Sequence, residues 1–217
     1  MPTQHSHNQH SHNQHSHHHP PPPNSSANNP KNPSSTKSHD WILVPGNMHY
    51  AKNRSTFRTY RRAPGKIGKN RVLGVGSVEL KVRRGPGPDE DRPNTLVLDD
   101  VLHLPNAVCN GLCVGKYQER NPGDGIEVCG GEGCRCRVRR GSEGDNENER
   151  DREGEGEALW YGEEYKGRSR VVLWGDRPGG SGVEDAPYRN PADLAGVDAS
   201  AEELNTLYTR VMDRSLV

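Results

Sequence analysis

The side chains able to do chemistry in this chain fall into a few clusters. His5, His7, His10, His12, His15, His17, His18 and His19 lie within repeats of a His-Ser-His-Asn-Gln unit. Clustered imidazoles can bind Zn, Ni or Cu loosely. No acid or thiol stands among them to fix a geometry, so a solvated repeat tail is the preferred reading and metal binding an alternative. The five cysteines include Cys109 and Cys113 in C-x3-C spacing, then Cys129, Cys134 and Cys136 in C-x4-C-x-C spacing. That matches neither paired C-x2-C knuckles nor a Cys-Cys-His-Cys box. The odd count fits reduced thiols better than a disulfide framework. Asp99 and Asp100 are adjacent carboxylates, but neighbours on a strand point to opposite faces and cannot share a proton. A bulge or edge position is expected for them instead. No cofactor is implied.

Positioning any of these groups takes a core, and composition limits how large one can be. Of 217 residues, 29% are hydrophobic and 5% aromatic, with a mean hydropathy of −1.04. Ordering a residue costs about 1–2 kcal/mol, which apolar burial must offset. Frequent Gly and Pro point the same way. A folded domain of roughly 100 residues, embedded in disordered sequence, is expected. The formal net charge is zero, which provides no steering toward nucleic acid or an anionic membrane. Nucleic acid is therefore not expected as a partner. No apolar run approaches the roughly 18 residues of a membrane span. The N-terminal stretch of His, Asn, Gln and Ser lacks the apolar centre of a signal peptide. An intracellular protein, in cytoplasm or nucleus, is the expectation.

Residues 1–37 read as a disordered His/Pro/Asn-rich tail, with Pro20–Pro23 favouring extended polyproline geometry. The main β segment is expected over 38–117. Trp41–Val44 is a β-prone run that ends in a Pro45-Gly46 turn signal. Phe57 is expected as a core anchor. The basic, Gly/Pro-punctuated stretch 60–70 reads as a solvated hairpin loop rather than a phosphate-contacting patch, since no aromatic platform or base-reading helix accompanies it. From Gly76 the alternation is strict, with Val78, Leu80 and Val82 on one face and Ser77, Glu79 and Lys81 on the other. Gly74 and Gly76 suggest a bulge or a close backbone approach. Thr95–Pro105 reads as another strand, alternating at Leu96 and Leu98 and later at Val101 and His103. Residues 118–157 are Gly, Arg and Glu with little else, and read as a disordered insertion. Closing strands are expected within 158–175, packing Trp160 and Trp174 back on the core begun at Trp41. A polar linker spans 176–198. Over 199–215 a helix opens on the capping box Ser200-Ala201-Glu202-Glu203. Its stripe of Leu204, Leu207, Tyr208, Val211 and Met212 is expected to dock on its own domain.

Several blocks stand in a telling order: Trp41-Ile42-Leu43 with Gly46 and His49, then Arg54-Ser55-Thr56-Phe57, Val72–Val78, Asp100–Pro105 and Asn110–Val114. Together they resemble the retropepsin-like β-barrel of copia-type retrotransposon Pol polyproteins. The resemblance covers about residues 41–117, with weaker support at 158–174. It implies an all-β chain: a small retropepsin-like β-barrel with a C-terminal α-helix and long disordered segments. It also implies the family's chemistry, a dyad of aspartates, one from each of two chains, that shares a proton and activates water. The family pattern places that Asp where this sequence has Val44, and a Ser or Thr where it has Pro45, followed by the retained Gly46. Val44 cannot ionise or accept a proton, and Pro45 has neither hydroxyl nor N–H. Asp40 precedes the strand and is not a substitute. The resemblance therefore implies a pseudoenzyme: a transposon remnant or a domesticated module that contacts itself or another protein through the barrel or the C-terminal helix. The alternatives are a retropepsin-like aspartic endopeptidase using another acid, and a His-rich metal-binding protein.

Overall fold

Four consecutive apolar residues can be buried on both faces only in the interior of a sheet, and strand β1 (Trp41–Val44) lies there. The computed structural model describes residues 40–87, 92–128, 135–141, 156–165, 167–176 and 195–215. The repeat histidines, Pro20–Pro23, Cys129 and Cys134 lie outside the described residues. After β1 come β2 (Tyr50–Ala51), a 3-10 turn (Arg54–Thr56), β3 (Arg61–Ile67), β4 (Asn70–Arg83), β5 (Pro93–His103), β6 (Asn110–Cys113) and helix α1 (Val114–Arg120). Strands β7 (Asp124–Val128), β8 (Cys136–Arg140), β9 (Ala158–Tyr165) and β10 (Arg168–Val171) follow, then helix α2 (Ala201–Ser215). The chain is thus all-β with a C-terminal helix.

The strands form one sheet in the order β3-β4-β5-β2-β6-β1-β10-β9-β8-β7. Two pairs are parallel, β1 with β6 and β2 with β5; the rest are antiparallel. The ladder does not close, because its outer strands, β3 and β7, do not pair with each other. It curls instead. A single bridge joins Val82 to Leu173, flanked by hydrogen bonds from Arg83 N–H to Val172 O (3.0 Å) and from Trp174 N–H to Lys81 O (2.8 Å). Side chains from the two faces of β1 enter two apolar clusters. Ile42 and Val44 pack with Met48, Ala63, Ile67 and Val72. Trp41 packs with Leu98, Leu112, Val138 and Trp160.

The period-2 readings of β4 and β5 hold. Val78, Leu80, Val82, Leu96, Leu98, Val101 and His103 are all buried, and Glu79 and Lys81 are exposed. Between the pairs Gly76–Val101 and Val78–Leu98 the partner strand carries one extra residue, so Ser77 faces both Asp99 and Asp100. The adjacent carboxylates therefore mark a bulge, and Asp100 takes a φ of 53°. Thr59 and Tyr60 cross closely over Gly76 and Gly74. Phe57 is the anchor expected of it, bridged to Val78.

Three expectations are corrected. The basic stretch is an edge strand, β3, rather than a loop; its arginines, Lys66 and Pro64 suit an edge that must not recruit further strands. Residues 118–157 include β7 and β8, so the described part of that stretch is an ordered extension of the sheet. There Cys136 and Val138 are buried while arginines alternate with them. The outward arginines meet acids at Arg135–Glu164 (3.3 Å), Arg139–Glu127 (3.4 Å) and Arg140–Glu157 (3.4 Å), and this charged face disguised a strand as polar sequence. Trp160 joins Trp41 in the core, edge-on to Tyr117 at 5.4 Å, but Trp174 is exposed beside Arg83.

Helix α2 starts as its sequence directs. Ser200 Oγ accepts the Glu203 N–H (3.2 Å), and Glu203 Oε2 accepts the Ser200 N–H (2.9 Å), which satisfies two otherwise orphaned donors. Leu207 and Val211 are buried against β3, with Leu204 and Tyr208 half-buried beside them, while Met212 is exposed. The apolar stripe is thus one residue narrower than its spacing predicts: at that turn Val211 takes the inward position, and Met212, about 100° further round the helix, faces out. Replacing Ser200 with Ala is expected to cost about 1 kcal/mol of unfolding free energy in urea titration. A Met212→Lys control should change it by less than about 0.5 kcal/mol.

Candidate functional site

The loop that follows β1 is the position at which the resemblance would place catalysis, and the chain's own C-terminal segment sits on it. Gly46 adopts a φ of 100°, a conformation suited to glycine. A Cβ at Gly46 would lie 2.5 Å from Val197 O. Val197 bridges both Gly46 and Met48, and the Asn47 N–H donates to Val197 O at 3.0 Å. The Asn47 side chain extends this pairing by one step. Its Nδ2 donates to Ala199 O, and its Oδ1 accepts the Ala199 N–H, each at 2.8 Å. Gly196 lies against Pro45 so closely that a Cβ there would overlap the Pro45 carbonyl oxygen. Val197 and Ala199 are buried in the same cluster as Val44 and Met48. The linker expected over 176–198 therefore ends in a docked segment at 195–199. Its one sequence signal is the β-branched Val197, three residues ahead of the Ser200 that opens the capping box.

Beneath the loop, the Cys113 thiol donates to Gly46 O (2.8 Å), and the Cys113 N–H donates to His49 Nδ1 (3.0 Å). His49 is buried and its pKa falls from 6.5 to about 4, first through burial and then through the positive charge of Lys116. Lys116 Nζ lies 3.8 Å from Met48 Sδ and 3.9 Å from Asp100 Oδ2. Asp100 also accepts from Arg120 Nη2 at 2.7 Å and from the Tyr208 hydroxyl, whose pKa is pushed up by burial and by that carboxylate. The bulged strand, α1 and α2 thus meet at one carboxylate.

A His49 titration should be visible in stability. Between its free value of 6.5 and about 4, the unfolded chain takes up a proton that the folded one refuses. Stability is whole above the upper value and falls as pH falls. The loss is complete, at about 3 kcal/mol, once pH drops below the folded value. In His49→Asn, whose Oδ1 can accept the Cys113 N–H without titrating, the stability lost between neutral pH and about pH 4 should shrink by roughly that amount. An unchanged pH dependence would exclude His49 as its source.

What the loop can do chemically is limited by what stands at its root. Val44 is 2% exposed in an apolar cluster, Pro45 is exposed, and Gly46 is engaged as above; none is an acid, base or nucleophile. Asp40 is occupied by Arg170 (Nη1 to Oδ1, 3.0 Å), and Arg170 also donates to Glu163. Asp99 is exposed, and Asp100 is engaged by Arg120. Cys109, Cys113 and Cys136 are buried thiols outside any disulfide, and burial pushes the Cys109 thiol up to about 11, far from a reactive thiolate. Among the described residues no group of three or more His, Cys, Asp or Glu is placed to hold a metal ion. No helix there is long and apolar enough to cross a membrane. No protein-family model, curated protein or solved structure matches the chain.

Proposed function

We propose that this chain is a non-catalytic β module derived from a copia-type Pol polyprotein, acting through protein contact rather than peptide hydrolysis. The loop after β1 carries the reading. The position at which the resembling enzymes have an aspartate is Val44, buried among apolar side chains, and the loop backbone is bonded to Val197 of the same chain. Supporting it, the resembling blocks fall on paired strands: 41–44 lies beside 110–113, and 74–76 beside 101–103. The acids near that end of the sheet are held by Arg170 and Arg120.

The test is peptide hydrolysis at acidic pH by the full chain and by a Val44→Asp/Pro45→Ser variant. No turnover is expected from the unmodified chain. Turnover would assign it to the aspartic endopeptidases and overturn the proposal.

A further inference from the structure

Residues 195–199 and α2 sit on the rest of the domain much as a ligand sits on a receptor. Apart from apolar packing, several of the polar contacts are made to main-chain groups of the surface beneath. Asn47 N–H reaches Val197 O, Glu203 Oε1 accepts the Gly68 N–H (2.6 Å), and Arg210 Nη1 donates to Pro64 O (2.8 Å). In return the surface reads main-chain groups of the segment, through the paired Asn47–Ala199 hydrogen bonds and from Tyr50 hydroxyl to Ala195 O (3.3 Å). Val197, Ala199, Leu207 and Val211 fill the apolar strip of Val44, Met48, Ala63, Ile67 and Val72. The preceding stretch, 177–194, is rich in Gly and Pro, the composition of a tether rather than of a core element.

We propose that this strip is a peptide-docking groove which the chain's own C-terminal segment occupies in cis. Its partner is a segment of another protein that copies the pattern of 196–211. That pattern starts with a glycine where Gly196 meets Pro45, then a β-branched residue, a free position and a small residue. A capped helix follows, with apolar residues at the positions of Leu204, Leu207 and Val211. Recognition combines strand pairing with helix-in-groove packing. A tethered segment competes at an effective concentration of about millimolar, so the groove stays shut to a free peptide with equal contacts until the tether is cut or a tighter sequence arrives. The inference stands on these contacts and not on the Pol-derived reading.

The test uses the full chain with a protease site introduced within 181–190, and a fluorescent peptide of residues 195–215 in excess, so the groove is never left empty. Before cleavage the peptide should not bind measurably at micromolar concentration. After cleavage it should exchange in and saturate. Binding should weaken about tenfold in Asn47→Ala, which removes the paired hydrogen bonds, and should be lost with a Gly196→Val peptide. Failure to exchange over a day while the near-ultraviolet spectrum stays native would make 195–215 a fixed part of the core and overturn the proposal. Collapse of the native spectrum on cleavage would do the same. Light scattering on the same samples tests the other occupant: a dimer that excludes the peptide assigns the groove to a second copy and also overturns it.

Discussion

Replacing Gly46 with Ala is expected to cost the domain about 2–6 kcal/mol, from left-handed strain of about 1–3 kcal/mol plus overpacking of similar size. The backbone there has a φ of 100°, and the added Cβ would lie 2.5 Å from Val197 O and 2.9 Å from Val197 N and C. Backbone cannot yield as a side-chain tip does, so the docked segment must shift and the Asn47–Ala199 hydrogen bonds go with it. Against a total stability of about 5–15 kcal/mol, the loss is severe. Gly68→Ala is the matched control. Gly68 also has positive φ, 53°, but nothing lies within 4 Å of its Cβ position, so only the strain of about 1–2 kcal/mol remains. Urea titrations of both variants separate the effects. Equal losses would mean that residues 196–199 are not seated tightly on the loop.

The second large effect belongs to Arg170, whose side chain is 3% exposed between those of Asp40 (10%) and Glu163 (9%). Burial works against its charge, yet the Glu163 and Asp40 carboxylates outweigh that and raise its pKa. Arg170→Met strands two carboxylates in the interior, with Asp176, whose own pKa burial already raises, close by. The expected cost is about 3–5 kcal/mol. The triple change Asp40→Asn/Glu163→Gln/Arg170→Met removes the charges together and should recover most of it, because a buried ion pair repays little more than its own desolvation. Thermal unfolding at neutral pH distinguishes the two. If the triple variant is no more stable than the single one, the arginine contributes mainly through packing over Tyr165, whose ring centroid it approaches to 5.4 Å.

Much of the sheet was legible residue by residue. Trp41–Val44 was recognisable as a strand from its apolar run, and β4 and β5 from strict alternation, because side chains two apart share a face and the solvent sorts them. The Ser200–Glu203 capping box announced α2 through contacts three residues apart. The bulge at Asp99–Asp100 was one of two readings that adjacent acids in a strand allow. Strands β7 and β8 were missed because salt bridges across the sheet let arginine and glutamate occupy strand positions that composition alone assigns to disorder. Met212 was misplaced because helical spacing defines a stripe but not how much of its width the domain covers.

The sequence by itself determined that no carboxylate or hydroxyl stands at Val44 and Pro45, which side chains of β4 and β5 face inward, and where the last helix begins. Each is a property of residue type or of neighbours within one turn or one pleat. Only the tertiary structure decided what covers the loop after β1 and what neutralises Asp40. Those partners are separated by 152 residues for Asn47 and Ala199 and by 130 for Asp40 and Arg170. No local periodicity spans such distances; chain folding brings the groups together, and burial then requires them to be paired.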